Sequence, residues 1–275
     1  MLNPKSAHSF LFVPGDRRER FAKAVNSGAH VVIIDLEDAV APEDKTRARF
    51  YARTFLDRVK DEKILIRINC ADSPFFEADL TLANHPNLSG VILPKADAAC
   101  CSELTQNLEN PVWPLIETVQ GLVELREIVT LSNLGRLLLG TIDLSLDLGL
   151  DSAHPAGQSA LDAARFMLVT NSRLGNLPPP IDGVFTDLDD ATGLQEAAEH
   201  AIASGMGGMM CIHPRQTSTV HAAFSPSQAN VEWAHAVLQI AETEKGSFQF
   251  RGKMVDKPVL DWAHEILAAQ LEHQT

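Results

Sequence analysis

Two acids, Glu117 and Asp143, each stand just past a short apolar run, Val112-Trp113-Pro114-Leu115-Ile116 and Leu137-Leu138-Leu139-Gly140-Thr141-Ile142. One helix-length segment separates the runs. If both are parallel strands joined by that helix, the carboxylates emerge side by side at one end of a sheet, about 5 Å apart as adjacent strands are. Carboxylates that close repel each other unless a proton or a cation sits between them. No histidine or cysteine stands beside them, so the ligand set is all oxygen. That suits Mg2+, with Mn2+ as the alternative, over zinc. The competing reading is an ion pair with a lysine or arginine. Metal binding is the expectation, and with it a metal-dependent enzyme.

Other apolar runs end in polar groups too. Arg67 closes Arg67-Ile68-Asn69, and its guanidinium suits bidentate capture of a carboxylate. A salt bridge to Glu37 or Asp38, which end Asp35-Leu36-Glu37-Asp38, is the alternative. Lys95, after Pro94, either neutralises an anion or pairs with Glu37. His213, before Pro214, reads as a hydrogen-bonded structural histidine, and the acids Asp187, Asp189 and Asp190 as a helix N-terminus.

These groups need a frame that brings many strand ends to one rim. Eight short, nearly continuous apolar runs supply it: His8–Val13, Val31–Leu36, Ile64–Asn69, Gly90–Pro94, Val112–Glu117, Arg136–Thr141, Ile181–Phe185 and Gly208–Ile212. Such runs suit parallel strands covered on both faces. Amphipathic segments lie between them. One spans Asp16–Ser27, one opens at Pro42, one carries Leu122, Leu125, Ile128 and Val129, and one carries Leu161, Ala164 and Leu168. Eight strands alternating with helices predict an α/β fold, a (β/α)8 TIM barrel, whose catalytic groups come from the C-terminal strand ends. An open doubly wound sheet is disfavoured, because no strand-to-helix turn carries a GxGxxG or GxxxxGK[ST] motif. After the eighth strand come a helix from Ser225-Pro226-Ser227 to about Thr243, a hairpin-like loop from Lys245 to Lys253, and a helix from about Pro258 to Gln270. The expected division is a catalytic barrel over residues 1–222 and a helical extension or lid over residues 223–275, able to reach a neighbouring subunit.

At 275 residues the chain suits one barrel of about 250 residues with an addition. A net charge of −13 argues against nucleic acid, which needs basic patches. It also means that an anionic substrate requires local arginine, lysine or a cation. No apolar run reaches the ~20 residues of a membrane span, and the first residues lack a signal peptide's apolar region. A cytoplasmic protein is expected, with Cys70, Cys100, Cys101 and Cys211 as free thiols.

Seven motifs in order carry a resemblance: Phe10-Leu11-Phe12-Val13-Pro14-Gly15; Asp35-Leu36-Glu37-Asp38-Ala39-Val40 with Lys45 and Arg49; Arg67-Ile68-Asn69; Leu93-Pro94-Lys95; Leu115-Ile116-Glu117-Thr118; Gly140-Thr141-Ile142-Asp143-Leu144; and Ile212-His213-Pro214-Arg215-Gln216. Together they resemble the citrate lyase β-subunit-like group of the HpcH/HpaI aldolase family, which includes malyl-CoA and citramalyl-CoA lyases. The resemblance implies a Mg2+-dependent TIM barrel that assembles as a homotrimer or hexamer. Glu117 and Asp143 would bind the metal, and Arg67 the carboxylate of a keto acid. Asp256, in Gly252-Lys253-Met254-Val255-Asp256-Lys257-Pro258, would do acid–base work from a neighbouring subunit. Phe12 and Lys23 match positions near bound CoA, although Glu19 stands where relatives carry a further lysine. The implied reaction cleaves or forms a 3-hydroxy-carboxyacyl-CoA, such as citramalyl-CoA or malyl-CoA, from a keto acid and an acyl-CoA. A class II pyruvate aldolase acting on free hydroxy-keto acids, and a citrate lyase β subunit needing an acyl-carrier partner, are the alternatives.

Overall fold

The computed structural model describes residues 6–60, 63–244 and 246–273. Eight parallel strands close on themselves: β1 Ser9–Pro14, β2 Val31–Asp35, β3 Ile64–Arg67, β4 Gly90–Leu93, β5 Val112–Ile116, β6 Leu138–Leu139, β7 Ile181–Val184 and β8 Gly208–Cys211, with β1 paired to β8. The fold is therefore the expected TIM barrel.

Alternation along the strands explains the apolar runs. Phe10, Ile33, Leu65, Ile92, Trp113, Leu115, Leu138, Ile181 and Met210 pack into one interior cluster. Their chain neighbours, among them Val32, Ile34, Ile64, Ile66 and Val91, are equally buried. Both faces of each strand leave water, so neither face needs polar residues. The barrel interior is a packed core, and chemistry is confined to its ends.

Two local expectations differ from the structure. β6 is a two-residue strand, not Arg136–Thr141. At its start, the Arg136 side chain is buried and donates to the carbonyls of Pro179 at 2.7 Å and Ala7 at 2.6 Å. At its end, the chain turns at Gly140 into the helix Thr141–Leu148. Asp143 therefore stands in the first turn of a helix and not at a strand end. The segment with Leu122, Leu125 and Ile128 is two short helices, Val119–Val123 and Leu125–Ile128. The break falls at Glu124, whose carboxylate accepts from the Ala98 N–H at 2.8 Å. That bond caps the next-door helix Ala98–Asn107 at the cost of continuity here.

The chain divides into two compact units, Asn3–His221 and one containing Ala222–Thr275. The second is a helical hairpin with a small ribbon. Helix Gln228–Ala241 is capped by Ser227, which accepts from the Asn230 N–H at 3.1 Å. An antiparallel pair follows, β9 Phe248–Phe250 and β10 Lys253–Val255, and then helix Lys257–His273. Val231, Ala234, Ala263 and Ile266 form its core, with Trp233 and Trp262 in ring contact at 4.7 Å. All four cysteines are free thiols. Among the described residues, no helix is long and apolar enough to cross a membrane.

Candidate active site

The C-terminal strand ends surround a cavity of about 340 Å3. Phe12, Leu115, Val184, Met210 and Ile212 supply its apolar lining, and Asp35, Asp38, Arg67, Glu117 and Asp143 its charged lining. The parallel register sets this grouping. Pro14 pairs with Asp35, and Asp35 with Arg67, so β1 to β3 end level with one another.

Glu117 follows β5 directly and is only 2% exposed. Its Oε1 accepts from the Lys95 N–H at 2.9 Å. Its other oxygen lies against Gly140, where an added Cβ would come within 2.5 Å of Oε2. Glycine at 140 is what lets the β6 turn approach the carboxylate. Burial, then the charge of Glu37, pushes the Glu117 carboxyl up to about 8, and Asp143 adds to the push. Asp143 thus lies within electrostatic reach and lines the same cavity.

Arg67 is saturated on one edge. Its Nε and Nη2 each donate to Asp35 at 2.7 Å. Nη1 lies 3.2 Å from Glu37 and 3.5 Å from Asp38. The guanidinium also lies 4.8 Å above the Phe12 ring. The ion-pair reading of Arg67 holds, with Asp35 as the main partner. Burial opposes charge on Asp35, but Arg67 and the N–H groups of Glu37 and Ala39 outweigh it and hold the carboxyl below its ordinary value. Burial likewise opposes charge on Arg67, and the surrounding acids raise its pKa above normal.

Lys95 pairs with Glu37, Nζ donating to Oε1 at 2.9 Å. Burial works against the ammonium, but Glu37 and Glu117 hold its pKa above the usual lysine value. Beneath the rim, Lys45 is buried and donates to the carbonyls of Leu36 and Glu37, both at 2.7 Å, and to Asn69 at 2.8 Å. It pins the chain that presents Glu37. Sequence reasoning left Asp35, Lys45 and the backbone of Lys95 without roles. The first was legible in principle, because Asp35 and Arg67 are the last residues of adjacent strands.

The remaining candidates scatter. Phe12 is in the cavity, beneath Arg67. Lys23 is exposed on helix Arg18–Val25 and is not among the cavity residues. Asp256 belongs to the C-terminal unit, where its carbonyl accepts from the Leu260 N–H at the start of the last helix. His213 accepts from the Arg215 N–H at 3.1 Å, a turn-forming role. Asp190 caps helix Ala191–Ala203 through the Gly193 N–H at 2.8 Å. A larger cavity, about 680 Å3, lies between helices Pro155–Leu174 and Ala191–Ala203. Its charges are spent on one another: Arg165 donates to Asp182 and Asp162, both at 2.9 Å, and Asp162 meets His200 at 2.7 Å. The rim cavity is therefore the candidate site.

Among the described residues, no group of three or more His, Cys, Asp and Glu side chains is arranged to hold a metal. Of the rim's acids, Asp35, Glu37 and Asp38 face Arg67, and Glu117 and Asp143 are the pair left for a cation. Glu37 Oε2, nearby, is a buried oxygen whose neighbour is Arg67 Nη1 at 3.2 Å, a charge contact without hydrogen-bond geometry. A hard cation with its water fits that donor set. Mg2+ usually takes one or two carboxylates and keeps several waters, and such a water would supply the missing donor.

Residues 8–214 match the sequence model of HpcH/HpaI aldolase/citrate lyase. The chain belongs to that family. Residues 171–271 also match a C–C bond lyase of the TIM-barrel fold. A citrate lyase subunit beta-like protein of Mycobacterium tuberculosis is 38% identical over 263 residues, covering 94% of this chain and 93% of that protein. A (3S)-malyl-CoA thioesterase of Cereibacter sphaeroides is 31% identical over 272 residues, covering 96% and 94%. The crystal structure of protein CitE from Mycobacterium tuberculosis, in complex with magnesium, acetoacetate and coenzyme A, matches with a TM-score of 0.85 at 35% identity, covering 97% of this chain and 99% of that one. Family membership thus extends over the barrel and the C-terminal unit alike.

Proposed function

We propose that the protein is a Mg2+-dependent carbon–carbon lyase that cleaves, or forms, a 3-hydroxy-carboxyacyl-CoA of the malyl-CoA or citramalyl-CoA type. The observation that carries this reading is that Glu117, Asp143 and Arg67 line one cavity. In this reading Glu117 and Asp143 hold the metal, with Mn2+ as a substitute. When bound, the cation supplies Lewis-acid and template chemistry to the keto-acid half of the substrate.

The chain's own groups do the rest. Arg67, fixed on one edge by Asp35, offers Nη1 to the keto-acid carboxylate and to the oxygen that becomes a carbonyl. Lys95 and Glu37 hold that arginine and Glu117 in place. Phe12, Leu115, Val184 and Met210, the apolar lining, exclude water. In the cleavage direction the substrate hydroxyl gives its proton to the Asp256 carboxylate and its carbon becomes the keto-acid carbonyl. The electron pair of the broken C–C bond passes to the acyl-thioester carbon, and Asp256 protonates that carbon. In the condensing direction Asp256 removes the same proton. Asp256 acts from a neighbouring copy in a homo-oligomer, a trimer or hexamer. Phe12 and Lys23 lie along the CoA path. CoA thioesters as substrates fit a cytoplasmic enzyme.

Glu117→Ala tests the reading. It should abolish Mg2+-dependent turnover of acetyl-CoA with glyoxylate or pyruvate while circular dichroism stays that of the wild type. Undiminished turnover would remove Glu117 from the mechanism. The malyl-CoA thioesterase relatives favour a second reading, hydrolysis of the thioester. Product analysis separates the two: a lyase yields keto acid and acyl-CoA, a thioesterase free hydroxy acid and free CoA.

A further inference from the structure

Lys95 is one of four described non-glycine residues with positive φ, at 48°. A long side chain adopts this left-handed conformation at an energetic cost, which the surrounding structure must impose. At Lys95 the purpose is visible in two successive amides. The Lys95 N–H donates to Glu117 Oε1 at 2.9 Å, and the Ala96 N–H donates to the Leu115 carbonyl at 3.2 Å. Both point at the end of β5, and the left-handed turn after Pro94 is what aims them there. The same turn sends Nζ to Glu37 Oε1 at 2.9 Å, leaving it 4.0 Å from Glu117 Oε1.

Each oxygen of Glu117 thereby has a separate duty. Oε1 is taken by the Lys95 amide. Oε2 packs against Gly140, where only a glycine fits, and is the oxygen left to the cavity that Glu117 lines. We propose that Lys95 is a positioning residue whose left-handed main chain, more than its ammonium group, fixes Glu117 so that only Oε2 is presented to the cation. The proposal rests on the reading of Glu117 as a metal ligand and adds the device that orients it. The ammonium serves another end. It occupies Glu37 Oε1, so that Glu37 stays between Lys95 and Arg67.

Two substitutions separate the main chain from the charge. Lys95→Asn removes the ammonium but keeps a residue that tolerates the left-handed region. Lys95→Val removes it and puts a β-branched residue there, which forces the backbone out of that region. Mg2+ affinity is measured by titration calorimetry on the full chain without substrate. The expected result is near wild-type affinity for Lys95→Asn. Lys95→Val should bind about 10- to 100-fold more weakly, the usual cost of losing a ligand's outer partner. Thermal melts confirm that each variant is folded, and Lys95→Ala replaces the valine variant if that one does not fold. Equal affinities for the asparagine and valine variants would overturn the main-chain role. Wild-type protein that binds no Mg2+ would instead overturn the metal reading of Glu117, and this proposal with it.

Discussion

The barrel buries an arginine at each end, and both lie over a phenylalanine of β1. Arg67, at the C-terminal rim, sits 4.8 Å over Phe12, and Arg136, at the opposite end, 5.4 Å over Phe10. Their partners differ in kind. Arg67 faces Asp35, Glu37 and Asp38. Arg136 donates only to the carbonyls of Ala7 and Pro179, and no carboxylate pairs with it among the described residues. Burial opposes the charge on both, but only Arg67 has acids to offset it, so the surroundings raise the pKa of Arg67 and lower that of Arg136. The lower arginine ties three chain segments together and has no spare partner to offer a substrate. The upper one is held by charges in a cavity open to ligand. The two ends thus hold an arginine in opposite ways, and the proposed reading gives the rim one the functional part, as TIM barrels place chemistry at that end.

Substitution at either end can break this contrast. Arg67→Met should lower kcat/KM by about 10^2 to 10^3, the cost of losing a preorganised donor. It should also destabilise the fold by about 3–5 kcal/mol, because Asp35 becomes an unpaired buried charge. Adding Asp35→Asn should recover most of the melting temperature and none of the turnover. If turnover returns as well, Arg67 is structural after all. Arg136→Met should cost about 1–3 kcal/mol for each carbonyl left without a donor, seen as a lower melting temperature, while kcat and KM stay at wild-type values. A changed KM would mean that the floor communicates with the rim.

The smallest effect is in pH. The Glu117 carboxyl in the metal-free fold titrates near 8, against 4.5 for an unperturbed glutamate. The folded state therefore binds more protons than the unfolded state between those values. The stabilising contribution is complete below 4.5 and is lost as pH rises to 8. Metal-free protein should accordingly melt at a lower temperature at pH 8 than at pH 6. Mg2+ needs the ionised carboxylate, so its affinity should rise up to about tenfold per pH unit over the same range. Glu117→Gln should flatten the melting trend. A trend unchanged in that variant would assign it to another group, such as Glu37, whose carboxyl burial also raises.

Much of this was legible in the sequence because parallel strands buried on both faces leave continuous apolar runs, and all eight could be counted. The rim grouping was legible where it showed as residue type: Glu117, Asp143 and Arg67 occupy one cavity. What escaped was set by tertiary contact. Arg136 looked like a strand residue, but its side chain serves the floor and β6 shrinks to two residues. The helix break at Glu124 follows from a partner 26 residues away. The left-handed turn at Lys95 leaves no compositional trace, since glycine, the usual marker of positive φ, is absent there.

Gly140 has a consequence for remodelling. Any side chain at that position would strike Glu117, so one wall of the cavity is closed to variation. Asp35, Glu37 and Asp38 are likewise committed to Arg67 and Lys95. If the proposed lyase reading holds, a variant meant to admit a bulkier or smaller acyl partner must therefore be sought among Val184, Met210 and Ile212, where volume can be traded without touching an ion.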